Sequence, residues 1–150
     1  MAKTTRPPLD AGAALLVVLW AVTFVHHLYG GIAFDSPERG VIALVFTLLL
    51  VGTLGLYRLG TARRWAGRAY RLLVVVVWIG FLGLYEGGFN HTLHVILRWA
   101  GDGDAVQRLY PAGSDAVVSQ DVFFQSTGVL TLLVAIGVGF TMLRRPAHAA

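Results

Sequence analysis

Between Leu84 and Trp99 the chain reads LYEGGFNHTLHVILRW, with a carboxylate (Glu86), an amide (Asn90) and two imidazoles (His91, His94) set among apolar residues and glycines. A second stretch, TFVHHLYGG, places Thr23, His26, His27 and Tyr29 in an equally apolar setting. Neutral imidazole is the commonest metal ligand, and a carboxylate beside it completes a nitrogen–oxygen set suited to divalent Zn, Mn, Fe or Cu. His26, His27, Glu86, His91 and His94 are therefore the candidate metal ligands, and Asn90, Thr23 and Tyr85 are further polar groups of the same site. Spacing limits how they combine. Glu86 and His94 stand about 12 Å apart along an α-helix, too far to share one ion bound at about 2 Å. There is no HExxH motif. Nor are there Glu-x-x-His pairs on two helices of the di-iron carboxylate kind. The chain has no cysteine, which excludes thiolate metal sites, Fe–S clusters and disulfides.

Three other chemistries use the same residues. Histidines on two helices can hold a b-type haem axially. A buried carboxyl beside a histidine can relay a proton or hold a lipid head group. Hydrogen bonds between helices can also act only as pins, as in a structural or accessory subunit, at about 0.6–2 kcal/mol each. No Ser/His/Asp pattern points to nucleophilic catalysis. The favoured reading is divalent metal binding, in a metal-handling protein or a small membrane metalloenzyme.

The elements that must position these groups are membrane spans. Of the 150 residues 56% are hydrophobic and 13% charged, against roughly 25% charged in soluble domains. A spanning helix needs about 20 mostly apolar residues. Four segments qualify, at about 11–34, 40–57, 72–97 and 122–143. The expected fold is a single all-α membrane domain over residues 1–150, a four-transmembrane-helix bundle with a longer outer loop between the third and fourth spans. The first span is read as retained rather than as a cleaved leader, because it runs long and lacks a small-residue cleavage site. The Pro7–Pro8 pair and Asp10 suit a helix start.

Charge sets the expected orientation. Arg58, Arg63, Arg64, Arg68 and Arg71 lie between the second and third segments with no acid among them. Lys3, Arg6, Arg144 and Arg145 join them on one side, so nine of the twelve basic residues cluster there. Positive-inside then puts both termini in the cytoplasm, N-in and C-in, with the bacterial cytoplasmic membrane as the expected location. The net charge of +4 is thus a topology signal, and no soluble domain exists to carry nucleic-acid binding. The lipid bilayer is the implied partner. Gly52, Gly55, Gly137 and Gly139 leave homo-oligomerisation or a place in a larger membrane complex open.

At about 100° per residue, Glu86, Asn90 and His94 share roughly 80° of arc, with His91 at its edge. Gly83 and Gly87 flank this stripe as a small-xxx-small pattern that admits another helix. Thr23, His26, His27 and Gly30 form a matching stripe of roughly 100° on the first segment. Two polar, glycine-flanked faces in lipid are expected to meet, which places the site between helices 1 and 3 in the outer half of the bilayer. Depth counted along the spans pairs the first-segment histidines with either Glu86 or His91. The Arg98–Asp121 segment is either a lid over this end or a plain connector. His148 reads as a solvated tail residue, and the tryptophans and most tyrosines as interface-belt or packing residues.

Overall fold

The computed structural model describes residues 9–110 and 120–143, and these are all-helical. Helix α1 spans Ala11–Ala33, α2 Pro37–Gly60, α3 Arg64–Trp99, α4 Gly103–Leu109 and α5 Val122–Leu143. All but the short α4 are long and apolar enough to cross a membrane, making four candidate spans. Lys3, Arg6, Pro7, Pro8, Pro111, Gly113, Asp115, Arg144, Arg145 and His148 lie outside the described residues.

The helices run up and down, and polar ties at their ends fix the register. The Asp10 carboxylate caps α1 by accepting from the Ala13 N–H at 2.9 Å. Its other oxygen accepts from the Tyr57 hydroxyl at 2.5 Å, which ties the start of α1 to the end of α2. A tight turn with Asp35 at φ 47° leads into α2, whose first residue is Pro37. At that same end the Tyr29 hydroxyl donates to Asp121 at 2.7 Å, joining the end of α1 to the start of α5. The other Asp121 oxygen accepts from the Phe124 N–H at 2.7 Å and caps α5.

Helix α1 packs between α2 and α5, and α3 packs chiefly against α5. Helices α1 and α3 therefore sit nearly diagonally, and their backbones barely touch. The polar faces of α1 and α3 do meet, side chain to side chain, where His26 reaches Glu86 and His91, but the close backbone approach is made elsewhere. The α3 glycines admit α5 instead. A Cβ on Gly87 would lie 2.6 Å from the Leu132 nitrogen and 2.9 Å from the Gly128 carbonyl oxygen. One on Gly83 would strike the Ala135 side chain. The fourth segment has its own small residues, Gly128 and Ala135, at the depths where α3 has Gly87 and Gly83.

Three further departures concern α3 and the stretch beyond Trp99. The helix begins at Arg64, not near Leu72, so the arginine-rich stretch is mostly helix, with a turn only at 61–63. Ala66 and Tyr70 are buried there while Arg64, Arg68 and Arg71 stay exposed, an amphipathic pattern that a search for apolar runs passes over. From Val74 to Leu93 the helix is π-wound, closing i→i+5 hydrogen bonds with more residues per turn than an α-helix. Its buried residues (Val74, Trp78, Leu82, Gly83, Gly87, His91) accordingly recur at steps of four to five. Finally, the stretch beyond Trp99 contains α4, capped by Asp102, which accepts from the Ala105 N–H at 2.9 Å. Tyr110 then folds back, donating its hydroxyl to the Phe89 carbonyl.

The bundle has two unlike halves. Toward the 61–63 turn the interior is apolar, built from Leu16, Leu19, Leu50, Val74, Trp78 and Val138. Its polar contacts are the Trp78 and Trp20 indoles, which donate to Thr53 at 3.0 Å and Thr47 at 3.1 Å. Toward α4 the interior is lined with histidines.

The packing and the caps each predict an outcome. Gly87→Ala should destabilise the protein by about 1–3 kcal/mol, the usual range for overpacking. Gly52→Ala, with nothing within 4 Å of its added Cβ, should be neutral; thermal unfolding of the two variants in detergent tests the contrast. At Asp121 the Phe124 N–H, and after it the Tyr29 hydroxyl, hold the carboxyl below its ordinary value of 3.8. A carboxyl depressed in the folded state stabilises above its unfolded value and loses that contribution as pH falls through the folded value. Melting curves taken from about pH 7 down to about pH 3 should therefore show a smaller acid loss in Asp121→Asn than in the wild type.

Candidate metal centre

Three donor groups converge in the half of the bundle toward α4. The Glu86 Oε1 atom lies 3.6 Å from His26 Nε2 and 3.5 Å from His91 Nε2. One donor atom from each of His26, Glu86 and His91 lies within 4.8 Å of the other two. Both imidazoles are fully buried, and the Glu86 side chain is 13% exposed, which leaves a narrow opening on the carboxylate side.

The winding of α3 makes this pairing. In an α-helix, Glu86 and His91 would point about 140° apart. Under i→i+5 closure, residues five apart sit about one turn above each other. Asn90, four residues on from Glu86, comes alongside as well and donates its amide to Glu86 Oε2 at 2.9 Å. Asn90 thus orients the carboxylate.

Helix α5 orients the two rings. His91 Nδ1 lies 2.9 Å from Gln125 Oε1. An amide oxygen only accepts, so His91 carries its proton on Nδ1 and donates there. His26 Nδ1 lies 2.9 Å from Thr127 Oγ1. The Thr127 hydroxyl donates to the carbonyls of Phe123 and Phe124, at 2.9 and 3.0 Å. With its proton on a carbonyl, the hydroxyl accepts from His26 in the tautomer that carries the ring proton on Nδ1. In the neutral Nδ1–H tautomer both rings present an Nε2 lone pair toward one carboxylate oxygen, and neither Nε2 has a hydrogen-bond partner among the described residues. Phe124 holds the His26 ring by stacking, with centroids 4.1 Å apart and planes 19° apart. Gly128 is required opposite His91, since any Cβ there would overlap the imidazole ring.

The comparisons with protein-family models, with curated proteins and with solved structures find no match to this chain.

The remaining candidate residues fall around the triad. His27 is buried, with its ring 5.2 Å from that of His26 and 5.8 Å from that of Phe46. Neither of its nitrogens has a hydrogen-bond partner among the described residues, and it is not one of the three converging donors. Thr23 lies one turn earlier on the same face, buried, with its hydroxyl oxygen likewise unpartnered. His94 is buried toward α4, its ring edge-on to Tyr110 at 5.3 Å, and it does not join the triad. Tyr85 is half-exposed on the outside of the bundle, stacked between Phe81 and Phe89 at 5.6 and 6.0 Å, away from the site.

Sequence reasoning missed the contribution of α5. Gln125, Thr127 and Gly128 stand in the run QSTG, which reads as a polar entrance to the fourth span. Its signal was a buried-capable amide and a glycine three residues apart, at the depth of the other polar groups. Gln125→Leu removes the acceptor for a fully buried N–H and should cost about 1–3 kcal/mol. Asn90→Ala, at a half-buried position, should cost less; equilibrium unfolding of metal-free protein ranks the two.

Proposed function

We propose that this chain is a four-span integral membrane protein, with both termini cytoplasmic by the positive-inside rule, that binds one divalent transition-metal ion through His26 Nε2, His91 Nε2 and Glu86 Oε1. The carrying observation is the pair of buried imidazoles whose Nδ1 atoms are engaged by Thr127 and Gln125 and whose Nε2 atoms both face one carboxylate oxygen. With the ring protons on Nδ1, three lone-pair donors converge, and they repel unless a cation sits among them. Ligands held at about 2.0–2.1 Å around a tetrahedral ion stand about 3.4 Å from each other. The two Glu86 separations of 3.6 and 3.5 Å are close to that spacing.

The donor set narrows the ion. Two imidazoles and one carboxylate suit zinc, or non-haem Fe(II), and in both cases leave coordination positions open. Second partners for every ligand support the same reading. Thr127 and Gln125 fix the ring tautomers and Asn90 fixes the carboxylate, as partners of metal ligands commonly do. The chemistry supplied by a bound ion would be Lewis-acid polarisation or activation of water. The protein's own share is to hold the donors and to place His27 and Thr23 beside the site as unpartnered polar groups.

Two other readings are less well supported. A haem held between His26 and His91 needs the porphyrin plane between the rings. Their centroids are only 4.6 Å apart, with Phe124 stacked on one of them. A set of purely structural pins would satisfy its buried atoms. Here seven buried side-chain nitrogens and oxygens, all on Thr23 and the four membrane histidines, lack a protein partner among the described residues.

Titration of purified, chelator-stripped protein with Co(II) and Zn(II) is the direct test. One equivalent should bind per chain, with Co(II) giving visible absorption of a low-symmetry nitrogen–oxygen site. His26→Ala, Glu86→Ala and His91→Ala should each abolish binding, and His94→Ala should keep the wild-type stoichiometry. Gln125→Leu should weaken binding by about 10–100-fold. Equal metal content in the wild type and Glu86→Ala, with circular dichroism showing both folded, would sink the proposal.

A further inference from the structure

Two hydroxyls outside the triad bond to the widened section of α3. In the α-wound spans threonine hydroxyls reach back three or four residues. Thr47 donates to the Ala43 carbonyl, Thr53 to Leu49, Thr131 to Thr127 and Thr141 to Val138. On α3 the Thr92 hydroxyl reaches back five, donating to the Gly87 carbonyl at 2.8 Å, the step that i→i+5 closure sets. The second hydroxyl comes from outside the helix. Tyr110, just past α4, donates to the Phe89 carbonyl. Under i→i+5 closure the His94 N–H would fill that acceptor. It bonds the His91 carbonyl instead, at the junction where α-winding resumes, and the Tyr110 hydroxyl stands in its place.

The phenol is held where it acts. Tyr110 is buried, with its ring 5.3 Å from those of both Phe89 and His94. Its N–H donates to the Val106 carbonyl at 2.9 Å, which fixes it to the end of α4, and Val106 is itself buried. Both tied carbonyls, those of Gly87 and Phe89, lie between Glu86 and His91 in the chain. Glu86 and His91 point about 140° apart under α-winding and act on one point only under the wider closure. Freeing the two carbonyls lets the α-wound section extend back into this stretch, and the His91 Nε2 atom then turns away from Glu86 Oε1.

We propose that Tyr110 and Thr92 are positioning residues for the ion: their hydroxyls lock the i→i+5 winding from Gly87 to Leu93 and so keep Glu86 and His91 convergent. Tyr110 makes the connector beyond Trp99 a strap, whose seating sets the affinity of a site to which it contributes no ligand. The inference rests on the metal reading and adds to it the part of the chain that governs affinity.

Tyr110→Phe and Thr92→Val keep the side-chain shape and remove one hydroxyl each. Co(II) titration of the full chain in detergent should show binding weakened about three- to tenfold in each, the scale of one lost hydrogen bond. The visible spectrum of the bound ion should shift as well, because His91 meets it at a different angle. Thr47→Val is the control. It removes a hydroxyl of the apolar half that donates to the Ala43 carbonyl and accepts from the Trp20 indole, so it should lower thermal stability and leave Co(II) affinity and spectrum unchanged. Amide hydrogen exchange of the metal-free protein gives a second readout: the amides of residues 91–96 should exchange faster in Tyr110→Phe than in Thr47→Val. Should Tyr110→Phe fail to fold, Thr92→Val carries both measurements. Wild-type affinity and spectrum in the folded variants would overturn this inference and leave the metal reading standing. Weakened affinity with an unchanged spectrum, or the same loss in Thr47→Val, would mark a general loss of stability and overturn it too. A wild type that takes up no Co(II) would instead overturn the metal reading, and the exchange comparison then decides the strap alone, with equal exchange removing it as well.

Discussion

A carboxylate buried between two imidazoles is the constraint to which half of this bundle conforms. An ion-sized charge removed from water costs several kcal/mol even after relaxation, unless it is paired and hydrogen-bonded. Glu86 sits at 13% exposure with His26 and His91 on one oxygen and Asn90 on the other. Holding that arrangement takes three helices: α1 for His26, α3 for Glu86, Asn90 and His91, and α5 for Thr127 and Gln125. Small residues let α5 approach closely enough to reach both rings. Gly128 lies under His91 and Gly87 lies against the α5 backbone. A side chain at either position would push α5 out and take the acceptors for both Nδ1 protons with it.

The division of the bundle into unlike halves follows from the same constraint. Polar groups that must be satisfied one by one leave little latitude in packing, so the half toward α4 is set by directed contacts. The half toward the 61–63 turn has no such demand. It is filled by leucines, valines and Trp78, with threonines accepting from the indoles. Dispersion and small-residue approach are what hold helices together in lipid, where the hydrophobic effect between them is absent. The apolar half supplies that adhesion, and the polar half is positioned by it. The end ties of Tyr57 to Asp10 and of Tyr29 to Asp121 set the register between them.

The four spans were legible because length and apolar composition alone specify them, and the segments 11–34 and 122–143 agree with the helices to within a residue. The start of α3 was not, because an arginine-rich amphipathic turn does not look apolar even though Ala66 and Tyr70 face inward. The residue types at the site were legible as well: His26, Glu86 and His91 all stood among the candidates. Their partners were harder. Periodicity tells which residues share a face of one helix but not which helix that face meets. The glycines of α3 announced a close neighbour without naming α5. Gln125 and Thr127 looked like an entrance because hydroxyls and amides at a span's end are ordinary there; only packing shows that these two point at imidazoles.

The winding of α3 explains the largest difference between the pattern and the site. Read with an α-helical period, the polar stripe is Glu86, Asn90 and His94, and His91 stands at its margin. With i→i+5 closure the inward line becomes Gly83, Gly87 and His91, and His91 moves to the centre. The same winding brings Glu86 over His91, while Asn90, four residues on, neighbours the carboxylate in either winding. His94, at the point where α-winding resumes, leaves the triad and faces Tyr110. The three converging donors fall within the widened section. Departures from α-winding are frequent at functional sites. Here the reason is geometric, because only a wider turn lets residues five apart act on one point.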